Sequence, residues 1–106
     1  MNRFLTRLLA ACTLMLTGAG LGAQPYPSRP VRVVVPYPAG GGSDFLARNI
    51  GQQLSTLVGQ PVVIENKPGG NTAIGAVDIA RAAPDGYSIL SADNGTLNFN
   101  SALYAK

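Results

Sequence analysis

Gly40-Gly41-Gly42-Ser43-Asp44 is the stretch of this sequence best suited to chemistry, and what it suits is holding an anion. Glycines let the backbone turn sharply and come close to a ligand. A helix opening just behind them offers amide N–H groups without partners and the positive end of a dipole. Tyr37 and Ala39 lead into this stretch, and two later ones share its character: Gly70-Asn71-Thr72 and the polar run around Thr96. Nucleotides are a poor fit. A phosphate-cradling Walker loop ends in Gly-Lys-Ser/Thr, where this loop ends in Gly-Gly-Ser-Asp; the dinucleotide fingerprint needs a third small residue where Phe45 stands. A site for a smaller anion survives both objections.

Asp44 has two readings. It is a catalytic carboxylate, or it caps the helix and fixes the loop by accepting free amides of the first turn. Capping is preferred, because a carboxylate aimed at an anion site would oppose its ligand. Tyr37 either walls the pocket or simply packs. Glu65 and Lys67 read as a solvated rim pair, and Asp78 with Arg81 as an i,i+3 surface pair of small energetic value. The chain has no histidine and one cysteine, Cys12. A Ser-His-Asp triad, a Cys-His pair and a His-ligated zinc site are therefore excluded within it. No cofactor is implied.

These residues need elements to position them. Val31–Val35 is a β-branched run that suits a strand covered on both faces. The spacing of Leu46, Ile50, Leu54, Leu57 and Val58 predicts a helix over 44–58 with those residues inward, closed by Gly59. A strand at 61–65 follows, then a helix at 73–83 with Ile74, Val77 and Ile79 or Ala80 inward. Pro84-Asp85-Gly86 is a turn, 87–90 a third strand, and 97–104 a further helix. The order is β-α-β-α-β, which predicts an α/β fold with a parallel sheet. The loops at 36–43, 66–72 and 91–96 each follow a strand, so all three emerge at the carboxyl edge, where open α/β sheets bind ligands.

Residues 1–23 have the form of a secretory signal peptide. Arg3 and Arg7 precede the apolar run Leu8–Leu16, and small residues lead to a cut after Ala23. Export implies a periplasmic location and a mature unit at 24–106. Leu9-Ala10-Ala11-Cys12 resembles a lipoprotein box, but too few apolar residues separate Arg7 from Cys12, so anchoring there is not favoured. Beyond Ala23 six basic residues face five acids, so the basic balance is no argument for nucleic-acid binding.

The run from Pro30 through Asp44 to Leu46-Ala47-Arg48 resembles a known family. So do Gly59-Gln60-Pro61-Val62-Val63-Ile64-Glu65-Asn66-Lys67-Pro68-Gly69, then Ile74-Gly75-Ala76 and Ala83-Pro84-Asp85-Gly86-Tyr87. Together they are similar to the start of Bug-type periplasmic solute receptors of the tripartite tricarboxylate transporter system. The resemblance implies one lobe of a Venus-flytrap binding protein that closes on a small organic acid and serves a membrane permease, not an enzyme. It also implies that Tyr37, Ala39, Gly40, Gly41, Gly42, Ser43, Asp44, Gly70, Asn71 and Thr72 lie at the ligand cleft, with backbone amides gripping a carboxylate, and Thr96 of the third donor-rich loop is expected to join them. Two positions depart from the family. Gly70-Asn71-Thr72-Ala73 stands where a Gly-rich run ending in Asn is usual, and Asn100-Ser101 stands where Asn-Pro is usual. Family members continue past the point matching Tyr104, so an incomplete first lobe is expected. The alternatives are a non-functional remnant and a fragment of an α/β enzyme whose catalytic residues lie elsewhere.

Overall fold

The computed structural model describes residues 22–103. The signal segment thus falls almost wholly outside the described residues, as does Tyr104 of the last expected helix. The elements are β1 (Val31–Val35), α1 (Gly42–Val58), β2 (Val62–Asn66), α2 (Ala73–Ala80), β3 (Ser88–Leu90), a π-helical turn (Gly95–Phe99) and α3 (Asn100–Leu103). Helix α1 starts two residues before Asp44 and α2 ends at Ala80, both departures from the sequence expectation. The region expected as one helix over 97–104 is split, its front part wound as a π-turn.

The sheet has the order β2-β1-β3. Both pairings are parallel, with Val31 opposite Val62, Val35 opposite Asn66, and Val34 opposite Leu90. The central strand supplies most of the core: Val31, Val34 and Val35 are buried, with Pro36 and Ala47 beside them. Parallel strands bring their carboxyl ends to one edge, so the loops after β1, β2 and β3 lie together there, as the β-α-β-α-β order requires.

The helices pack on the sheet through their small residues. Helix α1 buries Asp44, Ala47 and Gly51, and α2 buries Gly75. A Cβ added to Gly75 would lie 2.9 Å from the Cβ of Pro36 and 3.1 Å from the carbonyl oxygen of Lys67, so α2 rests directly on backbone. This corrects the expected inward faces. Leu46 is 59 % exposed, Ile50 56 % and Ile74 55 %. Close approach through alanine and glycine puts the larger apolar residues at the flanks. Leu46, Ile50 and Leu54 line one such flank with Val33, Val62 and Ile89, around a cleft of about 260 Å³.

At the opposite, amino edge, the proline-rich lead-in is strapped to the turn before β3. The Tyr26 hydroxyl donates to the Gly86 carbonyl, and the Ser28 N–H donates to the Tyr87 hydroxyl at 2.9 Å. Arg29 pairs with Asp85 at 2.7 Å while its guanidinium carbon sits 4.0 Å from the centre of the Tyr87 ring. The strap fixes the entry of β1 and hence the direction in which its far end delivers the first loop.

Candidate functional site

The first loop is shaped by one glycine and one carboxylate. Gly40 takes φ +88°, a conformation other residues rarely adopt. Gly41 caps the helix without any side-chain bond, and Gly42 and Ser43 are its first residues. Asp44 is not the N-cap. From the first turn it reaches back to accept the Gly40 N–H at 2.9 Å, and also Arg48 Nε at 3.0 Å and Asn66 Nδ2 at 3.0 Å. The Arg48 hydrogen bond, followed by those from Gly40 and Asn66, lowers the Asp44 carboxyl to about 2. Its oxygens are thus occupied beneath the loop. The loop-fixing role expected of it holds, by a different bond from the one expected.

Sequence reasoning missed Asn66 and Arg48 as partners in this assembly. Asn66 Nδ2 also donates to the Tyr37 carbonyl at 3.1 Å, and Asn66 Oδ1 accepts from Arg48 Nη2 at 2.9 Å. The only available signal was the position of Asn66 at the carboxyl end of β2, where the register with Val35 brings it under the first loop.

Tyr37 connects the first loop to the third. Its hydroxyl lies 3.3 Å from Thr96 Oγ1, and the Thr96 N–H donates to Asp93 Oδ1 at 3.1 Å. Burial, with the Asp93 carboxylate nearby, raises the Tyr37 hydroxyl above its ordinary range, and the Tyr37 hydrogen bond lowers Asp93. Thr96 itself is buried. Ala39 and Ser43 stand on the first loop and the first turn, Ala39 exposed and Ser43 half-buried.

The second loop is the most contorted backbone in the described chain. Gly69, Gly70, Asn71 and Thr72 take φ of +116°, +55°, +51° and +72° in succession. For a β-branched residue such as Thr72 this is a genuine outlier, and left-handed backbone costs non-glycine residues about 1–2 kcal/mol each. Gly70, Asn71 and Thr72 are joined to the first loop indirectly, through Asn66 and through the seat of Gly75 on Pro36.

A further cluster lies on the α2 side of the sheet. Arg32 Nη1 meets Glu65 at 3.0 Å and Asp78 at 2.9 Å, while Lys67 Nζ meets Glu65 at 3.3 Å and Asp78 at 3.1 Å. The four groups form a closed ring of alternating charge. Asp78, which Lys67 and then Arg32 hold below the ordinary carboxylate range, therefore pairs with these two and not with Arg81 as the i,i+3 spacing suggested. The ring ties β1, β2 and α2 together behind the loops. Among the described residues no three His, Cys, Asp or Glu side chains are grouped to hold a metal ion.

The loop edge therefore offers amides and hydroxyls on a braced scaffold. Gly42 and Ser43 open α1, where the helix's own hydrogen-bond ladder leaves the first N–H groups without intrahelical partners. The sequence profile of the tripartite tricarboxylate transporter family receptor matches residues 46–106. The chain belongs to that family. Protein BugT of Bordetella pertussis is 40 % identical over 90 residues, which are 81 % of this chain and 28 % of BugT. The structure of periplasmic binding protein BugD superposes with a TM-score of 0.59 at 51 % identity, over 61 % of this chain and 22 % of BugD. R. palustris Rpa4515, whose structure holds adipate, gives a TM-score of 0.60 at 42 % identity, again over 61 % of this chain and 22 % of the other. This receptor-family chain thus spans a little over a quarter of the length of BugT. Its α/β architecture with a parallel sheet is that of these periplasmic binding proteins.

Proposed function

We propose that this chain supplies one wall of an extracytoplasmic site for a small organic carboxylate, exported behind residues 1–23 and serving a membrane permease. It binds and does no chemistry. The observation that carries this reading is the openness of the first loop. A Cβ at Gly40 or Gly42 would meet nothing within 4 Å. Gly40 has its positive φ to account for it. Gly42 has neither a positive φ nor a crowded neighbour, so the fold around it does not require a glycine. Room for a ligand to reach the helix-start amides of Gly42 and Ser43 accounts for it, and the helix dipole favours an anion there. The adipate held by R. palustris Rpa4515 supports a dicarboxylate as the first ligand to try.

Gly42→Ala separates this reading from a purely structural one. Alanine loses less backbone entropy on folding, so the variant should be as stable as the parent or more stable by about 0.4–1 kcal/mol. Adipate should raise the melting temperature of the parent and raise that of Gly42→Ala less. Equal ligand-induced shifts in both proteins, or none in either across a series of dicarboxylates and aromatic acids, would contradict the proposal.

A further inference from the structure

Asn100 lies 28 residues beyond Thr72 and is the point where the π-helical turn passes into α3. Its side chain is spent on the second loop. Asn100 Nδ2 donates to the Asn71 carbonyl oxygen and to Thr72 Oγ1, the latter at 3.0 Å. Asn71 Nδ2 donates in return to Asn100 Oδ1 at 2.6 Å. The backbone of Asn100 is itself anchored, its N–H bonded to the Gly95 carbonyl. All three side-chain bonds therefore run between an ordinary helical backbone and the two non-glycine residues that stand in left-handed conformation.

We infer that Asn100 is a positioning residue of the ligand site: it holds Asn71 and Thr72 in left-handed backbone and so sets the second loop against the first. This rests on the carboxylate reading above for its functional meaning, but not for its geometry. Left-handed backbone is unfavourable for a threonine, and three bonds from one side chain are what keep it there. The consequence reaches helix α2. The Ala73 N–H is accepted by the Gly70 carbonyl at 3.1 Å and the Ala76 N–H by the Thr72 carbonyl at 3.2 Å, so release of the loop also loosens the first turn of α2. The segment that follows β3, through the Tyr37–Thr96 contact and through Asn100 at the start of α3, then touches both other loops at once. Asn71 and Thr72 lack glycine's freedom at positive φ, so the loop keeps its shape through an outside clamp.

Amide hydrogen exchange on the full chain tests this with no ligand present. Asn100→Ala should speed exchange at Ala73 and Ala76 about tenfold, the factor matching loss of one left-handed residue's restraint. Exchange at Val33 and Val34 in the sheet should hold steady. In a Thr72→Gly background, where left-handed backbone is no longer penalised, the same Asn100→Ala change should have a much smaller effect. Asn100→Asp keeps the acceptor and loses both donors, and gives the same reading should the alanine variant fail to fold. An unchanged rate at Ala73 and Ala76, or an equal effect in the parent and Thr72→Gly backgrounds, would overturn the inference. Adipate is the probe for the functional half, and its binding should weaken in Asn100→Ala. If exchange responds as stated while the parent shows no adipate binding, the clamp stands and the carboxylate reading falls.

Discussion

The Asp44 carboxylate accepts hydrogen bonds from Arg48, Gly40 and Asn66, which together hold its pKa at about 2. Its folded-state pKa is depressed below the ordinary carboxylate range, so its contribution is fully present above about pH 4 and lost as pH falls toward 2. Asp44→Asn should therefore melt below the parent at neutral pH, with the gap closing between about pH 4 and 2. Thermal melts of both proteins across that range check this, and parallel profiles would contradict it. At this scale the sequence was half legible. A carboxylate in the first turn after three glycines announces that it fixes the loop. Asn66 and Asn100 announce nothing, because their partners are 18 to 29 residues away and are brought near only by strand register and loop closure. Asp78 misled for the same reason: its nearest cation in sequence lost to two cations delivered by β1 and the end of β2.

Among the elements, α2 shows how a small residue positions a site. Gly75 is helical, and by intrinsic propensity alanine would be the better choice there. Contact with the Pro36 and Lys67 backbones reverses that preference, since neither can move aside as a side chain could. Gly75→Ala should destabilise the fold by about 1–3 kcal/mol, read as a lower melting temperature or denaturant midpoint. Gly51→Ala on α1 should be milder, because the atoms it would meet are the Ile64 and Val62 side chains, at 3.0 and 3.3 Å. Destabilisation by Gly51→Ala equal to or larger than that by Gly75→Ala would contradict this. The existence and order of the helices could be read from periodicity, but their inward faces could not. The apolar stripe marked Leu46 and Ile50, while the closest approach belongs to Ala47 and Gly51, one position further on in each case. Periodicity counts apolar residues and is blind to how near two backbones come. The π-helical turn had no sequence signal at all.

For the whole molecule, the alternation of strand and helix implied a parallel sheet, and a parallel sheet implied three donor-rich loops at one edge. That inference needed no side-chain detail, which is why it holds. The strand order β2-β1-β3 was not contained in it, since β3 could have joined either side of the pair. The central claim is that a carboxylate sits against this edge and nowhere else. A competing place exists, a hollow of about 440 Å³ beside α2 lined by Lys67, Ile74, Val77, Asp78 and Arg81, where Arg81 could also attract an acid. Titration of adipate into the isotope-labelled chain, followed amide by amide by NMR up to about ten times a millimolar Kd, tells the two apart. The account predicts shifts concentrated at Gly40–Ser43, Gly70–Thr72 and Thr96. Shifts confined to Val77, Asp78 and Arg81, or none at any amide, would contradict it.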